Sequence, residues 1–145
     1  MALSSRSAVA IHGLTFLARR EDTPMTSAEI ADSLASNPVL VRRVLGALRD
    51  AGIVWSAEGR GGGWRLARPA REITLLDAYT AVEEGPVLAR HSHPPSDACA
   101  VGRHMMSLLE TEFREAERAL EERLDRTTIA DLHQEVLNRE RELAR

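Results

Sequence analysis

The sequence predicts a mainly α-helical chain with one small β-hairpin, and three observations carry that prediction. Two short segments with apolar stripes flank the break Ser36-Asn37-Pro38. Gly59, Gly61, Gly62 and Gly63 crowd the space between the β-prone runs Ile53-Val54-Trp55 and Trp64-Arg65-Leu66. Apolar residues then recur at three- and four-residue steps from Val101 to Leu124, the signature of a long amphipathic helix.

Taken in order, residues 4–20 read as a helix with Val9, Gly13, Phe16 and Leu17 on one face, ended by Glu21-Asp22-Thr23-Pro24. Thr26-Ser27-Ala28-Glu29 is a capping box, with Thr26 as N-cap and Glu29 reaching back. It opens a helix that turns Ile30, Ala31 and Leu34 inward. Asn37 suits an N-cap and Pro38 a first helical residue, so the chain restarts there. The new helix carries Val41, Val44, Leu45 and Leu48 on one stripe and stops at Gly52. Two helices so joined make a helix-turn-helix, and with the glycine hairpin they spell a winged helix. Thr74 caps a fourth helix, Glu84 to Ala98 is a loop broken by prolines, and Thr128 caps a last helix after the long one. The expected organisation is a winged helix-turn-helix in residues 1–72, then a helical dimerisation and sensor arm in 73–145 that includes a long dimerisation helix.

Composition limits the function classes. The chain of 145 residues is 43% hydrophobic and 28% charged, with apolar runs too short to span a bilayer and no signal-peptide core at its start. The expected compartment is the cytoplasm. One cysteine, Cys99, excludes an intramolecular disulfide. Residues 1–70 hold nine Arg against six Asp/Glu, whereas residues 71–145 hold ten Arg against sixteen, and the chain has no lysine. A basic half joined to an acidic half suits a protein that meets a polyanion with one end. Neither a Ser/His/Asp set nor a paired-carboxylate site emerges, and the glycine run lacks the Lys-Ser/Thr of a phosphate-binding loop. An enzyme is not expected.

In a helix-turn-helix the second helix enters the major groove of duplex DNA, its first turns near base edges. Ser36, Asn37, Val39, Leu40, Arg42, Arg43 and Ala47 fall on or near its open side. Asparagine matches adenine, arginine pairs with guanine through a bidentate fork, and apolar Val39 and Leu40 suit thymine methyls, unless Leu40 tucks under the turn. Arg60 and Gly62 stand at the hairpin tip, where the glycines leave a guanidinium room to enter a minor groove. Ser5 and Arg6, with the amides around them, are candidate phosphate contacts. Trp64 reads as a cap over the hairpin base or as a stacking group, and the cap suits a duplex reader better. A two-fold dimer on a palindromic site doubles such an interface, and the stripe Val101, Met105, Leu108, Leu109, Phe113, Ala116 and Leu120 is the candidate dimer seam.

These residues also resemble a known family. Arg49-Asp50-Ala51-Gly52-Ile53-Val54, Gly61-Gly62-Gly63-Trp64-Arg65-Leu66-Ala67-Arg68-Pro69 and Ile73-Thr74-Leu75-Leu76-Asp77 carry the likeness. Asp97-Ala98-Cys99-Ala100-Val101-Gly102 and Thr128-Ile129-Ala130-Asp131-Leu132 extend it. The chain resembles the Rrf-two family of winged-helix transcriptional regulators, relatives of the iron–sulfur cluster regulator and the nitric-oxide-sensing repressor. The resemblance implies a DNA-binding homodimer, usually a repressor, with the long helix as dimer element. It also implies three loop cysteines in cluster-binding members, of which only Cys99 is matched, and a histidine where this chain has Gly102. The chain looks like a cluster-less branch with a single cysteine, and no cofactor is expected. Glu58 stands where relatives often carry arginine, which leaves open whether Arg60 replaces that contact.

Cys99 precedes a helix, whose N-terminal amides favour a thiolate, so it is the sensor candidate for a redox effector. His91, His93 and His104 lie near it in spacings that match no standard zinc pattern; a metal or small-molecule effector is a further option, and a packed cysteine with surface histidines is the other reading. The alternative function is a winged-helix protein-interaction module without sequence-specific DNA binding. Such a module would expose more apolar and aromatic groups on the second helix than Val39 and Leu40.

Overall fold

The computed structural model describes residues 4–145. Its element order is α1 (Arg6–Ala18), α2 (Ser27–Leu34), α3 (Pro38–Asp50), β1 (Val54–Ala57), β2 (Gly63–Leu66), a 3-10 turn (Ala70–Glu72), α4 (Leu75–Val82), α5 (Ala100–Asp125) and α6 (Ile129–Leu143). The described residues thus form six helices and one antiparallel hairpin, the predicted winged helix with a long C-terminal helix.

Side-chain caps explain where α2, α3, α4 and α6 begin. Thr26, Thr74 and Thr128 each accept the N–H of the residue three places on, from Glu29, Asp77 and Asp131, whose carboxylates bond back to the threonine N–H. Each cap contributes about 1 kcal/mol. Asn37 Oδ1 accepts the Val39 N–H at 2.8 Å, and Pro38 occupies the first position of α3 without leaving an amide unpaired.

Between α2 and α3 the chain turns through Ala35, whose φ of 48° and ψ of 43° are left-handed. An L-residue with a Cβ is strained there by roughly 1–2 kcal/mol. Ala35→Gly is therefore expected to raise unfolding stability by about 1 kcal/mol, net of the entropy glycine adds to the unfolded chain. Chemical denaturation reads this directly, and an unchanged or lower midpoint would show that the turn stores no strain.

The chain divides into two compact units, one running to Glu83 and resuming over Leu124–Arg145, the other Glu84–Arg123. In the first, α1 is central and buries Val9, Ala10, Leu14 and Leu17. Around it lie Ile30 and Ala31 of α2, the predicted α3 stripe Val41, Val44, Leu45 and Leu48, and Ile53 and Val54 at the start of the hairpin. Ala78 and Val82 of α4 and Ile129 of α6 join the same core. Helices α4 and α6, placed in the arm from sequence, therefore belong to the winged-helix unit. Backbone bonds hold α6 there: Leu75 N–H donates to Thr127 O at 2.9 Å, and Ile129 N–H to Ile73 O at 2.8 Å.

The second unit is built on α5, and no residue of α5 is buried. Its loop lies along the helix, where Glu117 Oε1 accepts the Val87 and Leu88 N–H groups at 2.9 and 3.3 Å. Arg90 and Arg114 both pair with Glu110.

A candidate DNA interface on the second helix and the hairpin

Helix α3 presents two opposite faces. Its stripe is buried, while Val39, at 53% exposure, and Arg42 and Arg43 stand in solvent. Leu40 is half-buried and packs on the core, so of its two options it tucks under the turn. Ala47 also leans on the core. Ser36 is half-buried at the break. Asn37 is exposed, but its side-chain oxygen is engaged as the cap of α3. A bidentate adenine contact needs that same oxygen as well as the amide NH2. Capping is thus the role the local geometry supports for Asn37.

At the hairpin, Val54 pairs with Leu66 and Ala57 with Gly63. The glycines have distinct reasons. Gly62 closes the tip, its N–H donating to Gly59 O at 3.1 Å, and a Cβ there would run into the Ala57 carbonyl oxygen. Gly63 has a φ of +140°, and a Cβ on it would meet Met25 O at 2.7 Å. Met25 and Trp64 exchange both backbone bonds, at 2.9 and 2.8 Å, so Met25 tacks a third short segment onto the hairpin. Gly62 is therefore explained by the turn itself, and Arg60 is the exposed cation at the tip.

The stem arginines are occupied. Arg65 stacks over Trp55 at 4.0 Å, and Arg68 pairs with Asp77 at 3.5 Å. Trp64 is half-buried against the core with Arg49 above it at 5.6 Å, which makes it a cap on the hairpin base. In contrast, Arg6, Arg42, Arg43 and Arg60 have no ion-pair partner among the described residues. These four cations stand on α1, α3 and the hairpin tip, elements that a winged helix turns toward a polyanion.

The start of α1 departs from expectation. Ser5 and Arg6 are exposed, but the Ser7 N–H and hydroxyl both donate to Glu83 Oε1, at 3.2 and 2.9 Å. The Arg6 N–H is bonded to Ser4 Oγ. The Arg6 and Ser7 amides thus already have acceptors, which leaves the Arg6 guanidinium and the Ser5 hydroxyl as the candidate phosphate contacts there. Glu83, which no local pattern marks, takes the Ser7 donors. A groove of about 610 Å³ between α1, α2 and α6, lined by Ile11, Phe16, Leu132 and Val136 among others, includes no residue of α3 or the hairpin.

Cys99 is exposed immediately before α5, and its carbonyl accepts the Arg103 N–H at 2.9 Å. Backbone N–H groups of Gly102 and Val101 bond to its sulfur and hold the thiol below its ordinary pKa. Along α5, Val101 is 61% and Leu108 58% exposed, and Ala116 and Leu120 are also exposed. Met105, Leu109 and Phe113 are half-buried.

A helix-turn-helix with a hairpin wing and unpaired arginines on both defines a DNA-binding transcription regulator of the winged-helix class. The chain belongs to the Rrf2 family: residues 3–135 match the family model described as "Iron-dependent Transcriptional regulator". YwnA of Bacillus subtilis, provisionally named an HTH-type transcriptional regulator, is 36% identical over 130 residues, covering 90% of this chain and 96% of that one. A solved structure provisionally titled as a DNA-binding protein is 34% identical, with a TM-score of 0.70 over 88% of this chain and 98% of that chain. A provisionally titled transcriptional regulator from Lactobacillus plantarum, 24% identical, superposes with a TM-score of 0.77 over 97% of this chain and 99% of that one, which shows the shared fold.

Proposed function

We propose that the chain acts as a homodimeric repressor that reads a palindromic operator through α3 and the hairpin tip. The observation that carries this reading is the set of exposed, ion-pair-free arginines Arg42, Arg43 and Arg60 on those elements. Arg42 and Arg43 read base edges with Val39 beside them, Arg60 enters the minor groove, and Arg6 and Ser5 touch phosphate. Ser36, Asn37, Leu40 and Gly62 shape these surfaces. The uncovered stripe of α5, with Val101, Leu108 and Leu120 outermost, supports the dimer, since 26 residues of helix without one buried side chain need a partner. A dimer seated on a promoter blocks it by occupancy alone, so repression needs no further contact. The described residues contain no helix long and apolar enough to cross a membrane. A regulator that reads an operator acts where the DNA is, so the proposed compartment is the cytoplasm.

Selection of duplexes from a random pool by the purified protein tests this function. An inverted repeat is expected, its half-sites one helical turn apart, about 10 base pairs. Enrichment of a single asymmetric site, or no enrichment, would defeat the reading.

Cys99 supplies a redox response in this reading. Its thiolate attacks peroxide, the S–O bond forms as the O–O bond breaks, and hydroxide leaves a sulfenic acid. Because the sulfur is stabilised as thiolate by the Gly102 and Val101 amides, alkylation of Cys99 is expected to set in at lower pH than for a free cysteine. Peroxide is expected to change operator affinity in wild type and to leave Cys99→Ser unmoved. Equal responses of the two proteins would remove the thiol switch.

A further inference from the structure

The matching family model describes iron-dependent regulators, yet the residues of this chain do not fit a bound iron–sulfur group. Cys99 is its single thiol, and such clusters are held by several thiolates. Among the described residues, no three His, Cys, Asp or Glu side chains converge where a metal ion would be held. The backbone makes a stronger case than the count of donors. The loop before α5 folds back onto the first turn of the helix and fills the space beside it. A Cβ on Gly102 would collide with the carbonyl oxygen of Ser96 and lie 2.9 Å from its carbonyl carbon. Arg103 Nη1 donates to Asp97 O at 2.9 Å, and the Arg103 N–H to Cys99 O at the same distance. Position 102 thus has no side chain to ligate with and no room for one.

We infer that this chain is an iron-independent member of its family, in which the loop before α5 closes on Gly102 and starts the helix without a metal. Ser96, Asp97 and Arg103 close the junction by backbone packing and hydrogen bonding. The shape of the junction then follows from the covalent chain alone, and operator binding does not track iron supply. The inference rests on the family assignment and on this junction, not on which residues read DNA.

The test uses the full chain purified without air, incubated with ferrous iron, sulfide and a thiol reductant, and then desalted. Iron far below one per chain and no iron–sulfur absorption band are expected. Affinity for the selected duplex is expected to be the same with and without a strong iron chelator. A stoichiometric cluster band, or a chelator-dependent shift in affinity, would overturn iron independence. Gly102→Ala should lower the thermal midpoint and speed amide exchange over residues 100–103, still without iron uptake. Arg103→Ala, which removes only the side-chain bond to Asp97, should shift both in the same direction by less. Wild-type midpoint and exchange in both variants would overturn the closure on Gly102. Failure to bind any duplex, with iron absent and the junction protected, would count against the DNA-reading proposal and leave this one standing.

Discussion

Replacing Arg42 and Arg43 together with alanine is expected to abolish most sequence selection while leaving the protein folded and still attracted to duplex DNA. Both side chains are exposed on α3, and neither supports the core, so the cost to stability should stay within about 0.5 kcal/mol. Each bidentate arginine–guanine contact discriminates by about 1–3 kcal/mol, so losing both should erase on the order of a hundredfold preference for the selected site. Arg6 and Arg60 remain, so non-specific binding and much of its salt dependence should survive. Competition between the selected duplex and scrambled DNA at fixed ionic strength gives the ratio. An unchanged ratio would mean that α3 does not read the bases.

A charge placed in the α5 stripe should have an equally large effect by another route. Leu108 is 58% exposed in the single chain, so Leu108→Asp removes no intrachain core contact and should leave helicity and the winged-helix unit intact. In a dimer the same aspartate would be buried at the seam without a partner, at a cost of about 3–5 kcal/mol. Dimer dissociation should therefore rise by a hundredfold or more. Operator affinity should fall with it, because one protomer holds only one half-site. Sedimentation of wild type and variant decides the matter. A wild-type protein that is monomeric at working concentration, or a variant that stays dimeric, would remove α5 as the seam.

Much of the architecture was legible in the chain because it is encoded within four residues at a time. Thr26, Thr74 and Thr128 announce helix starts through partners three positions on, and Asn37-Pro38 does so within one turn. The α3 stripe and the glycine hairpin are equally local signals. Trp64 was legible as a cap, though not the means: Arg49 lies over it and Met25 zips to its backbone. Asn37 shows a local signal with two meanings. As a residue type it suits both adenine and an N-cap, and in the folded chain its oxygen accepts the Val39 N–H.

By itself, then, the sequence determined the element types, the helix caps, the family and the asymmetry between a basic and an acidic half. Hydrogen bonds one turn long and apolar periodicity act between near neighbours, so their patterns survive in the linear order. Tertiary structure alone decided that α4 and α6 belong with the winged helix, and that Glu83 takes the Ser7 donors across a separation of 76 residues. It alone showed that Gly63 yields to Met25 and Gly102 to Ser96. Those outcomes depend on which distant backbone atoms arrive at one place, and close packing, which has no period in sequence, sets that meeting.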